Sequence, residues 1–383
     1  MSRLSIISRK IILKFVPHKL VRLIKKTGTS DYLFFGSAKK NTGKYLLQEK
    51  GIAFSIYGME DKLGGSVTDG FKKCYNDYTA HRDFLRKYIL SVEDCIIEPK
   101  LGWGILAATD KLVFDSISNN SWMESYYPDH RKYKAAKNKS VRLEEAISIN
   151  MVKGGESNYW HFLHDLLGEV ALALKHLPEG IPFIVSKELF EKKYFQSALQ
   201  VSTKLASLRW IIRDENTYYH IGKAWFIQVM PNSNEQFFGV RELLEVPASD
   251  PQKKRGIFLT RSPQRIRHLK NRDTIENIAR LYGFEVVDAD NLSLREQIKL
   301  FGETAYLIGI HGAGLTNQIF RKDAAMQLLE LLPADYVQPH YFWLNKGMGH
   351  DYDCLIGTAS ALDTSFEIDP VAFEAKIKNW KRL

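Results

Sequence analysis

Between residues 146 and 332, short apolar segments alternate with segments of helical periodicity, and this pattern constrains the possible folds more than any other feature of the chain. The apolar segments that predict strands lie at residues 146–152, 181–186, 208–213, 224–230, 256–260, 284–289, 305–310 and 325–332. The predicted helices lie at residues 158–177, 190–206, 272–282, 293–301 and 315–320. This alternation predicts an α/β fold in which helices cover parallel sheets.

Residues 244–255 are the strongest candidate for an interdomain linker, because Pro247 and Pro251 lie there among polar residues. The linker separates two α/β regions of similar build, predicted as domains over residues 31–243 and 256–345. A ligand site between them is expected at the carboxyl ends of the strands, where open α/β sheets bind their ligands.

The two ends of the chain carry weaker signals. Residues 95–99 have the character of a strand, and residues 105–117 that of a strand pair that turns near Asp110. Residues 346–383 are predicted to close the fold. Within them, the segment 369–383 begins with Asp-Pro and places apolar side chains at helical spacing.

The formal net charge of +10 is confined to the start of the chain. Residues 1–50 contain twelve Lys or Arg residues and two acidic ones, whereas the other 333 residues contain 42 of each kind. A neutral folded body argues against a nucleic-acid-binding domain, which presents a basic face.

The segment 1–30 is predicted to be a basic amphipathic arm. Residues 5–26 mix apolar and basic side chains without an acidic one, which is typical of an element that lies on an anionic membrane surface. Lys10, Lys14 and Pro17 interrupt every stretch long enough to span a membrane, and the segment does not fit a signal peptide. The alternative is a solvated helix that belongs to the fold.

Cysteine content and spacing predict neither a disulfide scaffold nor a structural metal site. The three cysteines, Cys74, Cys95 and Cys354, are odd in number and far apart. This usage indicates a reducing compartment. Asp351 and Asp353 form an Asp-x-Asp triplet of the kind that binds a metal-nucleotide complex, but such a triplet arises easily by chance, and we assign no metal ligand to it.

A polar stripe is predicted on the helix over residues 158–177. At about 100° per residue, one side of the helical wheel carries Asn158, His161, Asp165 and Glu169. A histidine with a carboxylate one turn away is an arrangement that orients an imidazole as a general base. The alternative is that the stripe is a solvated surface.

Residues 305–320 predict a strand, a glycine-rich turn and a helix, a geometry that points amide groups at an anion such as phosphate. The spacing of Gly309, Gly312 and Gly314 differs from the dinucleotide and P-loop fingerprints. His311 is placed to hydrogen-bond a phosphate or the reacting sugar. The alternative is an ordinary turn between a strand and a helix.

Two further features suit a nucleotide ligand. Arg261, Arg265 and Arg267 follow a predicted strand, with Ser262 beside them, and suit charge-assisted contact with a diphosphate. A solvated basic loop explains them equally well. Glu330 lies inside an apolar strand, where a carboxylate must be paired or must face a cleft, and a ribose diol is a suitable partner.

Taken in order along the chain, these segments resemble the family-61 glycosyltransferases. The matching segments are NYWHFLHDLL at 158–167, FLTRS at 258–262, YGFEVVDADNLSLREQIKLF at 282–301, GIHGAGLTNQIF at 309–320 and LLELLP at 328–333. The resemblance covers residues 146–357 well and the first 145 residues loosely. Two departures from the family pattern are RKDAA at 321–325, in place of small residues and prolines, and a second histidine, His164, beside Asp165.

The resemblance implies a GT-B arrangement, in which two facing Rossmann-like domains hold a nucleotide sugar mainly through the C-terminal one. It also implies inverting transfer of xylose, N-acetylglucosamine or a related sugar from a UDP-sugar, without a cofactor or a metal site. We assign the base to His161 or Asp165, as a coupled pair, and an orienting role to Asn158. The residues expected to bind the donor are Arg261, Ser262, Arg265, His311, Gly312, Ala313, Gly314, Leu315, Thr316, Asn317 and Glu330.

The expected partners are a nucleotide-sugar donor, a lipid-linked glycan acceptor and an anionic membrane surface that residues 1–26 contact. The expected location is the inner face of a bacterial cytoplasmic membrane, with a role in capsule, lipopolysaccharide or exopolysaccharide biosynthesis. One alternative is a transferase that uses a CDP- or GDP-sugar. The other is a non-catalytic nucleotide- or nucleic-acid-binding protein.

Deletion of residues 1–26 is expected to release the protein from membranes, because it removes eight basic residues, each worth about 1 kcal/mol near an anionic surface. Co-sedimentation with vesicles that contain an anionic phospholipid measures the release. Binding of a UDP-sugar is the control and is expected to stay unchanged. A truncated protein that still pellets with the vesicles would make the arm a solvated element of the fold.

Overall fold

A computed structural model of the chain describes residues 43–50, 65–80, 86–117, 130–149, 158–230 and 233–380. Within these ranges the chain forms two β-sheets with helices packed on them. The first sheet uses strands between residues 44 and 228, and the second uses strands between residues 255 and 367. The predicted basic arm at 1–30 lies outside the described residues.

The first sheet is mixed. Its strands are β1 Lys44–Lys50, β2 Arg86–Ile97, β3 Gly104–Leu106, β4 Lys111–Leu112, β5 Val141–Ser148, β6 Phe183–Ser186, β7 Trp210–Arg213 and β8 Tyr219–Gln228. Their order is β4-β3-β2-β8-β5-β6-β7, with β1 also paired to β2. The pairs among β5 to β8 are parallel, but β2 pairs antiparallel with β1, β3 and β8.

The expectation of a parallel, Rossmann-like first sheet is therefore wrong for its β1 to β4 half. The strands β2, β3 and β4 follow one another through short turns, and short turns permit only antiparallel pairing. The predicted turn near Asp110 is present between β3 and β4. The regular alternation seen in the sequence begins with β5, and from that point the sheet is parallel.

Apart from two 3₁₀ turns of three residues each, seven described helices precede the second sheet. They are α1 Gly65–Ala80, α2 His130–Ala136, α3 with its consecutive segments Tyr159–His161, Phe162–Leu166 and Leu167–His176, α4 Lys187–Phe190, α5 Lys193–Val201, α6 Thr203–Ser207 and α7 Asn234–Leu243. The single helix predicted over 190–206 is divided at Ser202, whose side chain caps α6. The sequence analysis did not predict α7, although Ser233 caps it and marks its start.

The second sheet is parallel apart from its last pair. Its strands are β9 Arg255–Leu259, β10 Glu285–Val287, β11 Thr304–Ile310, β12 Gln327–Pro333, β13 Asp351–Ala359 and β14 Phe366–Glu367, and their order is β10-β9-β11-β12-β13-β14. Because β10 lies on one side of β9 and β11 on the other, the strand order reverses between β9 and β11. Doubly wound sheets bind ligands at such a switch point, at the carboxyl ends of the strands.

The helices of the second half position this sheet edge and close the fold. They are α8 Arg272–Leu281, α9 Leu294–Glu303, a 3₁₀ helix Ala313–Phe320, α10 His340–Met348 and α11 Pro370–Trp380. The predicted C-terminal helix is confirmed as α11, which buries Phe373 and Ile377 in one cluster with Ile275 and Ala279 of α8. The sequence analysis did not predict α10 or β13.

Two buried arginines join the two halves. Arg241 of α7 donates hydrogen bonds to the carbonyls of Ile319 and Arg321, at 2.5 and 2.9 Å. Arg321 in turn donates to the carbonyls of Gly302 and Lys253, at 2.5 and 3.0 Å. Arg321 belongs to RKDAA at 321–325, one of the two segments that depart from the family pattern. It therefore holds the candidate linker against the second half.

The described segment 244–254, which connects α7 to β9, contains neither helix nor strand, and the domain boundaries inferred from sequence stay a prediction.

None of the helices described by the structure is long and apolar enough to cross a membrane. The cysteines at 74, 95 and 354 are buried and are not joined by disulfides.

Candidate active site

A cavity of about 920 Å³ lies where the first half meets the carboxyl edge of the second sheet. The first half contributes the start of α3 and one face of α5, with Asn158, Tyr159, Trp160, His161, Lys193, Tyr194 and Ser197. The second half contributes the segments that follow β9, β10 and β11, together with Tyr336 and the start of α10. A cavity therefore lies at the switch point, where the sequence analysis expects a ligand site.

The predicted site residues divide into two groups. Those that line the cavity are Asn158, His161, Arg261, Arg265, His311, Gly312, Ala313 and Gly314. Those that lie behind or beside the lining are Asp165, Ser262, Leu315, Thr316, Asn317 and Glu330. Most of the second group are buried, so they act on the site only by positioning the residues that line the cavity.

Helix α3 contains a π-helical turn at Phe162–Leu166, in which the amide of Leu167 donates to the carbonyl of Phe162 five residues earlier. A π turn holds an extra residue, so the later part of the helix slips in phase by about 100°. His161 stays at the cavity, whereas Glu169 is only 2% exposed. Burial, and secondarily the charge of Asp165, raises the pKa of Glu169 well above its usual range. The predicted polar stripe therefore ends at the π turn, and it is not a solvated surface.

Asp165 is held between two histidines. Nδ1 of His161 lies 2.6 Å from one carboxylate oxygen, and Nδ1 of His164 lies 2.7 Å from the other. Burial raises the pKa of Asp165, but the two imidazoles outweigh burial and hold that pKa well below its usual range. An ionised Asp165 accepts from Nδ1–H of His161, which leaves Nε2 as the basic atom of that ring. Because His161 lines the cavity and Asp165 does not, the geometry favours His161 as the base of the coupled pair.

Asn158 has a more local role than the sequence analysis expected. Its side-chain oxygen accepts a hydrogen bond from the amide of Trp160 at 2.9 Å and caps the N-terminus of α3. Only its amide group is left for a ligand in the cavity.

Arg261 and Gly312 follow β9 and β11, the two strands that flank the switch point. Nε of Arg261 donates to the carbonyl of Ile266 at 2.7 Å. A Cβ atom at Gly312 would lie 1.9 Å from Nη1 of Arg261, so the guanidinium rests against the bare Cα of this glycine. Burial, and then the nearby Arg267 and Arg265, lower the pKa of Arg261 to about 10, which still leaves a cation at neutral pH.

The other two arginines differ in how they are held. Arg265 forms an ion pair of 2.6 Å with Asp290, and both side chains are exposed. Arg267 lies over the ring of Tyr336 at 4.6 Å, and its buried Nε has no hydrogen-bond partner. Its backbone also has a φ of 61°, a left-handed conformation that non-glycine residues adopt mainly where the surroundings impose it. Arg267 was part of the basic run in the sequence but was not assigned to the site.

Glu330 is fully buried on β12, and its partners are protein groups. One carboxylate oxygen lies 2.5 Å from Nδ1 of His311, and the other accepts from the hydroxyl of Tyr352 at 2.5 Å. This corrects the expectation that Glu330 contacts the nucleoside. Glu330 orients His311 in the same way that Asp165 orients His161, so the cavity carries one such pair from each half of the chain.

Asn317 is also corrected, because it braces the cavity wall and does not line it. Its carbonyl oxygen accepts from the hydroxyl of Tyr159 at 2.8 Å, and its amide donates to Gln297 at 2.6 Å. Gln297 then donates to the carbonyls of Ala289 and Leu292, in the segment after β10. This network ties the start of α3 to the opposite wall of the cavity.

The glycine-rich turn has fewer available amides than expected. The helix over Ala313–Phe320 is 3₁₀, and the amide of Leu315 already donates to the carbonyl of Gly312 at 3.0 Å. The amides of Ala313 and Gly314 precede it, and the first amides of a helix have no partner within the helix. The side chains of Leu315 and Thr316 are buried, which excludes them from contact with a ligand.

The two Asp-x-Asp triplets of the chain lie in different places. Asp353, at the start of β13, forms an ion pair with Lys376 at 2.6 Å, away from the cavity. The sequence analysis missed the triplet of Asp288 and Asp290, which does line the cavity, although its spacing is visible in the sequence. Across the ranges described above, no group of three or more His, Cys, Asp and Glu side chains is arranged to hold a metal ion.

Helix α10, which the sequence analysis missed, connects the two sides of the cavity. The ring of Tyr341 packs edge-on against Trp160 at 5.2 Å. Its hydroxyl donates to the carbonyl of Gly312 at 2.5 Å. Tyr341 therefore contacts both Trp160, the residue before His161, and the glycine-rich turn that lies beside Arg261.

Residues 159–327 match the family model described as Glycosyltransferase 61, which confirms the resemblance indicated by the sequence motifs. The matched segment contains α3, Arg261 and the glycine-rich turn. No curated protein matches the chain. Among solved structures, the E. coli heptosyltransferase WaaC with ADP is similar at 11% identity and a TM-score of 0.29, over 62% of this chain and 99% of that chain.

Replacement Gly312→Ala is expected to weaken UDP binding by about 10- to 100-fold, because the new methyl group displaces the Arg261 guanidinium and removes a charge-assisted hydrogen bond worth about 1.5–3 kcal/mol. Isothermal titration calorimetry with UDP measures the loss. Gly314→Ala in the same turn is the matched control, since its Cβ would meet only Leu259, at 3.1 Å. Equal affinities for the two variants would remove Arg261 from the ligand site.

Proposed function

We propose that this chain, whose residues 159–327 belong to glycosyltransferase family 61, transfers a sugar from a UDP-sugar to a hydroxyl group of a glycan acceptor with inversion at the anomeric carbon. One observation carries the proposal. A single cavity joins a histidine-carboxylate pair on α3 to a cationic site at the switch point of the second sheet. Inverting transfer needs these two parts, a base for the acceptor and positive groups for the leaving diphosphate.

The donor side stabilises the departing diphosphate. Arg261 and Arg267 supply guanidinium groups, and the amides of Ala313 and Gly314 supply neutral donors. In a partly desolvated site these groups act more strongly than they would in water, and they are already oriented before charge develops. We assign to His311, which Glu330 orients, a hydrogen bond to the phosphate or to the transferred sugar.

The acceptor side removes one proton. As the acceptor oxygen forms its bond to C1 of the sugar, Nε2 of His161 takes the hydroxyl proton. The bond from C1 to the phosphate oxygen breaks, and its electron pair leaves with the nucleoside diphosphate. The ionised Asp165 stabilises the imidazolium that results. The proton and the charge are then balanced without a further reactant.

The same proposal includes the architecture and the location. Two α/β domains, meeting near residues 244–255, would face each other across the cavity as in a GT-B enzyme. Residues 1–26 would hold the protein at the inner face of the cytoplasmic membrane, where a lipid-linked glycan for a cell-surface polysaccharide is elongated. The neutral charge of the remaining chain supports a separate role for the basic segment.

UDP-sugars are expected to stabilise the protein more than CDP- or GDP-sugars. A ligand at 100 times its Kd raises the free energy of unfolding by about 2.7 kcal/mol, and thermal denaturation with UDP-, CDP- and GDP-sugars at equal concentration compares the three classes. The free nucleotides are the controls for binding without the sugar. Stabilisation by CDP- or GDP-sugars alone would change the donor class, and stabilisation by none of them would contradict the proposal.

His161→Ala is expected to lower kcat by about two to four orders of magnitude while UDP still binds, because the variant lacks the base and keeps the diphosphate site. Asp165→Asn keeps the shape of the side chain and is expected to lower kcat as well, since it removes the charge that stabilises the imidazolium. The kcat of both variants is measured as UDP release. The donor is the UDP-sugar identified by thermal denaturation, and extracted lipid-linked glycan is the acceptor. Near-normal transfer by both variants would exclude this pair as the base.

UDP-sugar binding without transfer to any acceptor by the unmodified chain would favour the non-catalytic alternative. Salt-sensitive binding to nucleic acid that survives His161→Ala would point the same way.

A further inference from the structure

His164 departs from the family pattern, and the proposed mechanism gives it no part. It lies in the π-helical turn of α3, beside Asp165, with only 3% of its surface exposed. Its Nδ1 lies 2.7 Å from Oδ1 of Asp165, the oxygen that His161 does not use. The two carboxylate oxygens are therefore bound to two different imidazoles.

Packing fixes the ring of His164 from several sides. Trp160 stacks on it with ring centroids 4.6 Å apart and planes at 17°, and Phe237 of α7 meets it edge-on at 5.2 Å. The amide group of Gln236, also on α7, donates to the backbone carbonyl of His164. Nε2 of Gln236 also lies 3.2 Å from Nδ1 of His164, and the shorter contact of Nδ1 is the one to Asp165. The packing therefore holds the ring with Nδ1 facing Asp165.

The orientation of Asp165 determines the orientation of His161. A carboxylate turns about a single bond, so a hydrogen bond to one oxygen leaves its plane free to rotate. A second hydrogen bond, to the other oxygen, fixes that plane. The π turn supports this geometry because it holds more residues than an α-helical turn, which brings the neighbouring side chains of His164 and Asp165 closer in angle.

We propose that His164 is a positioning residue for sugar transfer, which holds Asp165 through its second oxygen and thereby directs Nε2 of His161 into the cavity. The inference rests on the proposed function, since it takes His161 to be the base. It adds a third member to the pair that the sequence motifs indicated.

The groups that surround the three residues contribute little competing charge. Burial raises the pKa of Glu169, one turn further along α3, well above its usual range. From α7, Gln236 and Phe237 carry no charge. From α10, His340 and Tyr341 face the far side of Trp160, at 5.9 and 5.2 Å between ring centroids. Asp165 is therefore the carboxylate in direct contact with His161, while the charged residues of the cavity, Arg261 and Arg267 among them, face the other side of that ring's site.

Two substitutions separate hydrogen bonding from packing. His164→Asn keeps an N–H donor close to the position of Nδ1 and loses the aromatic ring, whereas His164→Phe keeps the ring and loses the donor. If His164 positions Asp165, kcat falls about 10- to 100-fold in His164→Phe and stays within about threefold of the unmodified protein in His164→Asn. The KM for the UDP-sugar is expected to stay unchanged in both. The reverse order, with His164→Phe normal and His164→Asn impaired, would overturn the proposal and leave a packing role.

Nitrogen-15 NMR of the histidine rings provides a readout without substrate. In the unmodified protein and in His164→Asn, His161 is expected as the tautomer protonated at Nδ1, and His164→Phe is expected to mix the two tautomers. An unchanged tautomer in His164→Phe would contradict the proposal. If His164→Phe does not fold, His164→Leu, which is smaller and also lacks the donor, replaces it.

The two levels of inference fail in different ways. If His161→Ala is active, His161 is not the base, whatever the activity of the His164 variants. An inactive His161→Ala together with a fully active His164→Phe would remove only the positioning role.

Discussion

Two carboxylates behind the cavity, the half-buried Asp165 and the fully buried Glu330, determine how the site is built. Taking a carboxylate out of water is costly unless it is paired and hydrogen-bonded, and each of these is satisfied by two partners. In each case one partner is a histidine that lines the cavity. The need to compensate each carboxylate therefore places one imidazole on each side of the cavity, His161 on one and His311 on the other. Each ring has a fixed orientation, with Nε2 turned away from its carboxylate.

Three features could be predicted from the sequence: the α/β class, most of the strands and helices after residue 146, and the cationic loop. Each of them follows from local periodicity or from residues that end a strand. The antiparallel half of the first sheet was not, since β2, β3 and β4 are joined by short turns and leave no helical segments between them. Helical spacing placed Glu169 with His161, but a π turn has no signal in a wheel of constant angle. Glu330 was correctly singled out as a carboxylate in need of a partner, yet its partners, His311 and Tyr352, come from separate strand ends that only the fold brings together.

The contacts between the two halves are polar and specific as well as apolar. Arg241 and Arg321 satisfy backbone carbonyls at the end of the 3₁₀ helix and along the connecting segment. Tyr159 and Asn317 link the start of α3 to the wall after β10. Buried hydrogen bonds of this kind specify one arrangement, because a shifted interface would leave each polar group without a partner. The position of His161 relative to Arg261 is thus set by these hydrogen bonds between the two halves.

The location of Arg261 against a bare glycine Cα has a consequence for the order of events in turnover. A guanidinium held between backbone and neighbouring cations is poorly hydrated. In the proposed reaction it would bind the released nucleoside diphosphate, which carries more negative charge than the nucleotide sugar, at least as firmly as the substrate. Under the proposed function, the groups that help the diphosphate to leave the sugar also oppose its departure from the protein. Escape of the spent nucleotide, and not the bond-breaking step, is where such an enzyme would spend most of its cycle.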